Sequence, residues 1–260
     1  MRDGEHYLFY GNAIIRDVSG VNDINTAGGG DTEAAEIILD GSESNHAVSV
    51  LRIKVGQPIQ VADGYGVIYN CQCSDIRKQS VSCKIIDKRQ ISRIIPEITL
   101  LIGLPDKERF ETILEHAAAL GVSRIIPIAA DHCRKPWWEG WDGLRRRFLS
   151  KMVVSMKQSL YPYVPLLDAP MPLREAVAGC LEALMVADRD GKCLSDAEIL
   201  RHKRINCLVG PPGGISGDEK ELLESYTAIP VTTVKIASTR LRSELAATVL
   251  CSRIIAAHLR

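Results

Sequence analysis

The stretch CLVGPPGGISGDE, Cys207 to Glu219, decides how this chain is read. An apolar run, Cys207-Leu208-Val209, ends at once in Gly210-Pro211-Pro212-Gly213-Gly214. Ser216, with Glu219 three residues on, is the sequence signature of a capping box and so of a helix start. The pattern predicts a buried strand, a tightly curved turn, then a helix. The two prolines remove two backbone donors from the turn, and no Gly-Lys-Ser/Thr follows, so it is not a P-loop. Glycines here let a flat group lie against main chain, which suits an adenine recognised by backbone hydrogen bonds. A plain turn between strand and helix uses the same residues equally well.

Working outward, the chain has 260 residues, 46% hydrophobic and 25% charged, ordinary for a globular protein. No apolar run approaches the roughly 20 residues of a membrane span. The N-terminal MRDGEHYLFYGN lacks the apolar core of a signal peptide. A cytoplasmic protein without a membrane partner is the expectation. The 32 basic and 32 acidic residues balance, which excludes a generic basic coat for nucleic acid. Any such contact would be a local patch, with candidates at 76–79, 87–90, 133–135 and 145–147. The eight cysteines include no C-x-x-C pair. Cys71 and Cys73 alternate along a strand, and Cys207 and Cys251 sit in apolar runs. Buried reduced thiols and no metal site are expected.

Residues 20–33 are rich in Gly, Asn and Asp and read as a mobile loop, with Gly28-Gly29-Gly30 supplying flexibility. From about 36 to 95 short β segments dominate: 36–40, 58–64, 66–73 and 81–87, with a hairpin turn at Asp63-Gly64. They predict a small barrel, with 91–97 as its exit. After 97 strands and helices alternate. Strands are expected at 97–104, 124–130, 183–189, 205–210 and 231–237. Helices are expected at 106–121, 142–160, 196–203, 217–227 and 242–259. That rhythm predicts a mostly parallel sheet with helices on both faces. Ligands in such sheets sit at the carboxyl ends of strands. Three such ends are unusual: Ala187–Gly191, Gly210–Gly214 and Ala237–Arg242.

Other nucleotide and catalytic signatures are absent. Gly64-Tyr65-Gly66 is followed by Tyr69 where a dinucleotide fingerprint needs glycine. There is no G-x-S-x-G elbow and no H-x-x-x-H pair. His116, alone on a helix, reads as structural.

Several segments together resemble one family. VGPPGGISGDE resembles the G-P-E-G-G-(hydrophobic)-S-x-x-E loop of the RsmE-type 16S ribosomal RNA methyltransferases. IASTRLRSELAA is similar to that family's L-G-x-R-I-L-R-x-E-T-A segment. DKERFETILEHAAALGVSRIIPI is similar to its helix ending in E-L-G-V, and NHAVSVLRIKVGQPIQVADG to its N-terminal barrel signature. Order and spacing match over nearly the whole chain.

The resemblance implies a PUA-like, RNA-binding β-barrel over 1–94. It implies a SPOUT α/β methyltransferase domain with a deep trefoil knot over 95–260. It implies a homodimer binding S-adenosylmethionine in knot loops and methylating N3 of a uridine in 16S rRNA or the small ribosomal subunit. Cofactor contacts would fall to Val186, Ala187, Val209, Gly210, Pro211, Gly213, Gly214, Ile236, Ala237, Ser238 and Leu241. Arg242 matches the motif's second arginine and would stabilise the uridine anion. Glu244 would orient Arg242 or cap its helix. Arg52, Gln158 and Arg240 would touch RNA. The chain departs from the pattern at Pro212, Ala237, Thr239, Leu245, Lys157 and Tyr161. Those departures keep open a paralogue that binds RNA or ribosomal particles without methylating, or one that methylates a different RNA.

Overall fold

The computed structural model describes residues 8–11, 36–39, 41–78, 80–134 and 136–259. The loop expected at 20–33, with its three glycines, lies outside the described residues. The chain forms two compact units. The first runs to Ser92 and includes Met156–Tyr163; the second holds Arg93–Ser155 and Val164 onward.

The first unit is built on a five-stranded sheet in the order β1-β3-β4-β5-β2. Its strands are β1 (Leu8–Tyr10), β2 (Glu36–Leu39), β3 (Pro58–Ala62), β4 (Val67–Arg77) and β5 (Ser80–Gln90). β1 pairs with β3 in parallel and the other pairs are antiparallel. The Asp63-Gly64 turn joins β3 to β4 as expected: the Asp63 carboxylate accepts from the amides of Tyr65 and Val67, and Gly64 takes a φ of 80°. The inward faces bury Phe9, Ile37, Leu39, Val61, Cys71, Cys73, Val81 and Cys83. Burial pushes the Cys71 and Cys83 thiols up to about 12, so they serve as small apolar side chains. All eight cysteines are free.

Sequence reasoning missed two pieces here, the strand β1 and the helix α1 (Gly41–Asn45) with the single π turn that follows at His46–Val50. GSESNHAVSV lacks helical apolar spacing. Tertiary bonds hold it instead: Ser44 donates to the Leu39 carbonyl and accepts from the Val81 amide. Buried Glu43 accepts from the Tyr10 amide and pairs with Lys157.

The second unit is a six-stranded sheet, β11-β9-β10-β6-β7-β8, with every pairing parallel. The strands are β6 (Glu97–Gly103), β7 (Arg124–Ile128), β8 (Leu166–Leu167), β9 (Ala183–Cys193), β10 (Arg204–Val209) and β11 (Val231–Lys235). Its helices are α2 (Lys107–Ala119), α3 (Trp141–Ser159, whose last four residues group with the first unit), α4 (Leu173–Ala178), α5 (Asp196–Ile199), α6 (Gly217–Ser225) and α7 (Ser243–His258). Alternation splits the strand side chains between two cores. Ile98, Leu100 and Ile102 pack with Phe110 of α2, Phe148 of α3 and Leu250 of α7. Leu101, Leu184, Val186 and Leu208 pack with Val177 of α4 and Leu223 of α6. Helices therefore cover both faces.

Helix α2 begins after Asp106 and is followed by Gly121 at φ 76°, the left-handed residue that commonly terminates a helix. His116 bonds Thr248 of α7 through Nδ1 at 2.9 Å, the structural role expected of it. β8 and α4 were not foreseen: VPLLDAPMPLREAVA is interrupted by prolines and too short for periodicity. α5 is shorter than expected, and β9 is longer, for a reason visible at the site.

Candidate binding cleft at three strand ends

β9 lies between β10 and β11, so the chain steps to one side of β9 and then returns to the other. A reversal of strand order opens a crevice at the carboxyl ends of the strands. A cleft of about 670 Å³ sits there, lined by all three unusual strand ends, with Arg109 and Lys220 contributed from α2 and α6.

The first wall is the Gly210–Gly214 loop. Gly214 donates its amide to the Pro211 carbonyl at 2.8 Å and takes a φ of 84°. A Cβ on Gly103 of β6 would stand 2.4 Å from both the nitrogen and Cδ of Pro211, and one on Gly213 would stand 2.7 Å from His132 Cβ. Ser216 and Glu219 form the expected capping box at the start of α6. The other Glu219 oxygen accepts from the Asp131 amide, and Ser216 Oγ bonds the Asp131 carboxylate. His132 Nδ1 lies 3.1 Å from the Gly214 carbonyl. The abrupt exit from β10 thus has a packing cause: β6 presses on the loop from one side and the 131–132 turn from the other.

The second wall is an excursion of β9. Thr233 and Val234, consecutive in β11, pair with Val186 and Lys192. The residues between have no partner in β11; Ala187 still pairs with Val209 of β10, and those after it carry Asp188, Arg189 and Asp190 into the cleft. Gly191 closes the excursion against β11 backbone, where a Cβ would meet Val234 at 2.7 Å. Lys220 lies 3.6 Å from Asp188.

The third wall runs from Ile236 to the start of α7. Arg240 Nη2 donates to the Pro212 carbonyl at 3.2 Å, joining the third wall to the first. Arg242 is the residue before α7, and its carbonyl accepts the Ala246 amide at 2.8 Å. Its side chain is exposed, lines the cleft, and makes no ion pair among the described residues. α7 then crosses back to pack on α2, β6 and β10.

Of the residues singled out from sequence, Ala187, Val209, Gly210, Pro211, Gly213, Gly214, Ile236, Ala237, Leu241, Arg240 and Arg242 line the cleft. Val186 does not; strand alternation turns it into the opposite core. Ser238 is exposed outside the lining. Glu244 faces Arg109, with 3.9 Å between Oε1 and Nε. Exposed Arg52, at φ 53°, and Gln158 belong to the first unit. The reading missed Arg109, Asp188, Asp190 and Lys220. Arg109 and Lys220 sit on helices whose sequences carry no sign of a site, and the two aspartates fall within the Ala187–Gly191 strand end, where the length mismatch between β9 and β11 accounts for their turning into the cleft.

Comparison with known proteins agrees with this architecture. The RNA methyltransferase domain family matches residues 93–255, and the RNA methyltransferase PUA domain matches residues 39–86. A ribosomal RNA small subunit methyltransferase E of Mycobacterium bovis is 27% identical over 227 residues, covering 83% of this chain and 84% of that protein. A Legionella pneumophila methyltransferase structure with bound SAM superposes with a TM-score of 0.79 at 21% identity, covering 98% of both chains. A Neisseria gonorrhoeae ribosomal RNA small subunit methyltransferase E bound to S-adenosyl methionine gives 0.76 at 20% identity, covering 96% of this chain and 97% of that one.

Proposed function

The chain belongs to the RNA methyltransferase family, and from that premise we propose that it transfers a methyl group from S-adenosylmethionine to N3 of a uridine in small-subunit ribosomal RNA. The observation that carries the reading is the convergence of three strand ends on one cleft whose lining suits this cofactor. Its volume, about 670 Å³, lies in the range of roughly 300–1,000 Å³ usual for small-molecule sites. Val209, Ile236, Leu241 and Ala246 give an apolar surface, and Gly210, Gly213 and Gly214 let a flat ring approach backbone. Asp188 and Asp190 supply negative charge for a sulfonium or ammonium. Arg109 and Arg240 supply positive charge for a carboxylate.

Bound there, the cofactor supplies an electrophilic methyl group, so the protein needs no nucleophile of its own. The chain's task is positioning and charge stabilisation. Losing the uridine N3 proton leaves negative charge spread over N3, O2 and O4. Arg242, a cation carried at a helix start and free of ion pairing among the described residues, stabilises that charge as it forms. Arg240 ties two walls of the cleft together. Arg52 and Gln158 are the RNA contacts assigned to the first unit, the PUA-like RNA-binding domain of this reading. Over the second unit the reading includes a trefoil knot and a homodimer. The return of α7 over β10 and β6 and the exposed Leu245 at its start support these.

Calorimetry with S-adenosylmethionine and S-adenosylhomocysteine, followed by methylation of small subunits lacking the modification, tests the proposal. Binding near one site per chain and formation of N3-methyluridine are expected. Binding without that product would redirect the activity to another RNA. No binding of either compound would leave only an RNA-binding role.

A further inference from the structure

We propose that Arg109 is an oxyanion anchor of the transfer site, aimed by Glu244; this rests on the methyl-transfer reading above. Arg109 comes from α2 and belongs to none of the three strand-end loops. Its side chain nevertheless lines the cleft beside Arg242, Ser243 and Ala246, at the start of α7.

Its pairing with Glu244 is unusual for a stabilising bridge. Nε and Oε1 are 3.9 Å apart, beyond hydrogen-bond length. The other carboxylate oxygen, Oε2, is buried with no hydrogen-bond partner among the described residues. A pair selected for stability would close that gap, because an unmet buried polar atom is costly. Glu244 instead sits in the first turn of α7, where the helix N-terminus favours its charge. From there it attracts the guanidinium without consuming its donors. Arg109 makes no hydrogen bond to the described residues, so its planar fork is unspent. Such a fork matches a carboxylate or a phosphate with two parallel hydrogen bonds. The ligand chemistry is therefore an oxyanion. It has two sources in this reaction: the amino-acid carboxylate of the cofactor and a phosphate of the RNA. Arg109 would meet a charge present in the resting ligand, whereas Arg242 meets one that develops during transfer. The two arginines should separate in their kinetics.

The experiment uses the full-length chain with R109A, R109K and E244Q. Titrations with S-adenosylhomocysteine and with methylthioadenosine, which lacks the carboxylate, are run beside methylation kinetics on unmodified small subunits and thermal melting. R109A is expected to lose about 10-fold or more in one ligand term with kcat within about twofold of wild type. Loss confined to S-adenosylhomocysteine, with methylthioadenosine unchanged, assigns the cofactor carboxylate. Loss confined to KM for the RNA assigns a phosphate. R109K should restore only part, because lysine has no fork, and E244Q should show a smaller loss of the same kind. Variants that bind and turn over like wild type overturn the anchor alone. So does a loss matched by a fall in melting temperature and fully restored by R109K, which would mark a charge pair with a structural role. A wild type that binds neither compound and methylates nothing overturns the methyl-transfer reading, and the anchor falls with it.

Discussion

Arg240 donates to the carbonyl oxygen of Pro212 at 3.2 Å, and so Pro212, a position at which the chain departs from the pattern it resembles, meets the arginine that follows another such position, Thr239. Pro212 has no carboxylate to offer, and Arg240 stands one place later than the motif's arginine, yet main chain supplies the acceptor. The bond crosses from the third wall of the cleft to the first. R240A should weaken S-adenosylhomocysteine binding by about 3- to 10-fold, the scale of one charged hydrogen bond reduced by exposure. Melting should barely change. Calorimetry showing wild-type affinity would mean the link does not shape the pocket.

Arg242 carries a different expectation. R242A should keep cofactor affinity within about twofold and reduce turnover by about 10²-fold or more, as for loss of one preorganised electrostatic stabiliser. Single-turnover methylation at saturating cofactor separates the two effects. Turnover equal to wild type would remove Arg242 from the chemistry.

The glycine on β6 is the test of the packing account of the proline loop. G103A places a methyl group against Pro211 backbone, 2.4 Å from its nitrogen, where no rotamer change relieves it. Overpacking of this kind costs about 1–3 kcal/mol, or a fall in melting temperature of roughly 2–10 °C for a unit of this size. S-adenosylhomocysteine binding should weaken with it. Normal melting and binding together would show that the loop is not wedged by β6.

Glu111 of α2 should make the second unit acid-sensitive. Burial raises its carboxyl pKa, but the hydrogen bond and charge of Arg147, with those of Lys151, more than reverse this and leave it below the ordinary value of 4.5. The unfolded chain then binds this proton more readily than the folded one. The stabilisation is complete above the ordinary glutamate range and is lost as pH falls through the lowered folded-state value. Denaturant unfolding should show E111Q less stable than wild type near neutrality, with the gap closing in acid. A gap independent of pH would assign the effect to packing.

The thiols give a chemical test of the cores. Iodoacetamide at pH 8 should modify exposed Cys193 in the native protein and spare Cys71 and Cys83, whose thiols burial holds near 12. Peptide mass mapping reads the result. Rapid labelling of Cys71 and Cys83 would mean the first unit opens readily.

Much of this architecture was legible in the chain because its strongest signals are local. Ser216 and Glu219 announce α6, Gly121 announces the end of α2, and Asp63 announces the hairpin, each through bonds to near neighbours. The three strand ends could be marked as unusual for the same reason. What stayed hidden depends on distant partners. Glu43 is buried because Lys157 meets it, and Ser44 beside it is tied to β2 and β5. Arg109 enters the cleft because of where α7 begins. The resemblance put Val186 among the cofactor contacts, whereas strand alternation turns its side chain into the core on the other face.

The mismatch between β9 and β11 has a consequence for how the cleft can change. Val186 and Lys192 pair with adjacent residues of β11, so the sheet does not measure the length of chain between them. Residues can be added or removed there without slipping either ladder by one place. A slip would turn the side chains of one core toward the other. The wall that carries Asp188 and Asp190 is thus an adjustable insert in a fixed frame, where the pocket can be recut for another ligand while the rest of the fold stays in register.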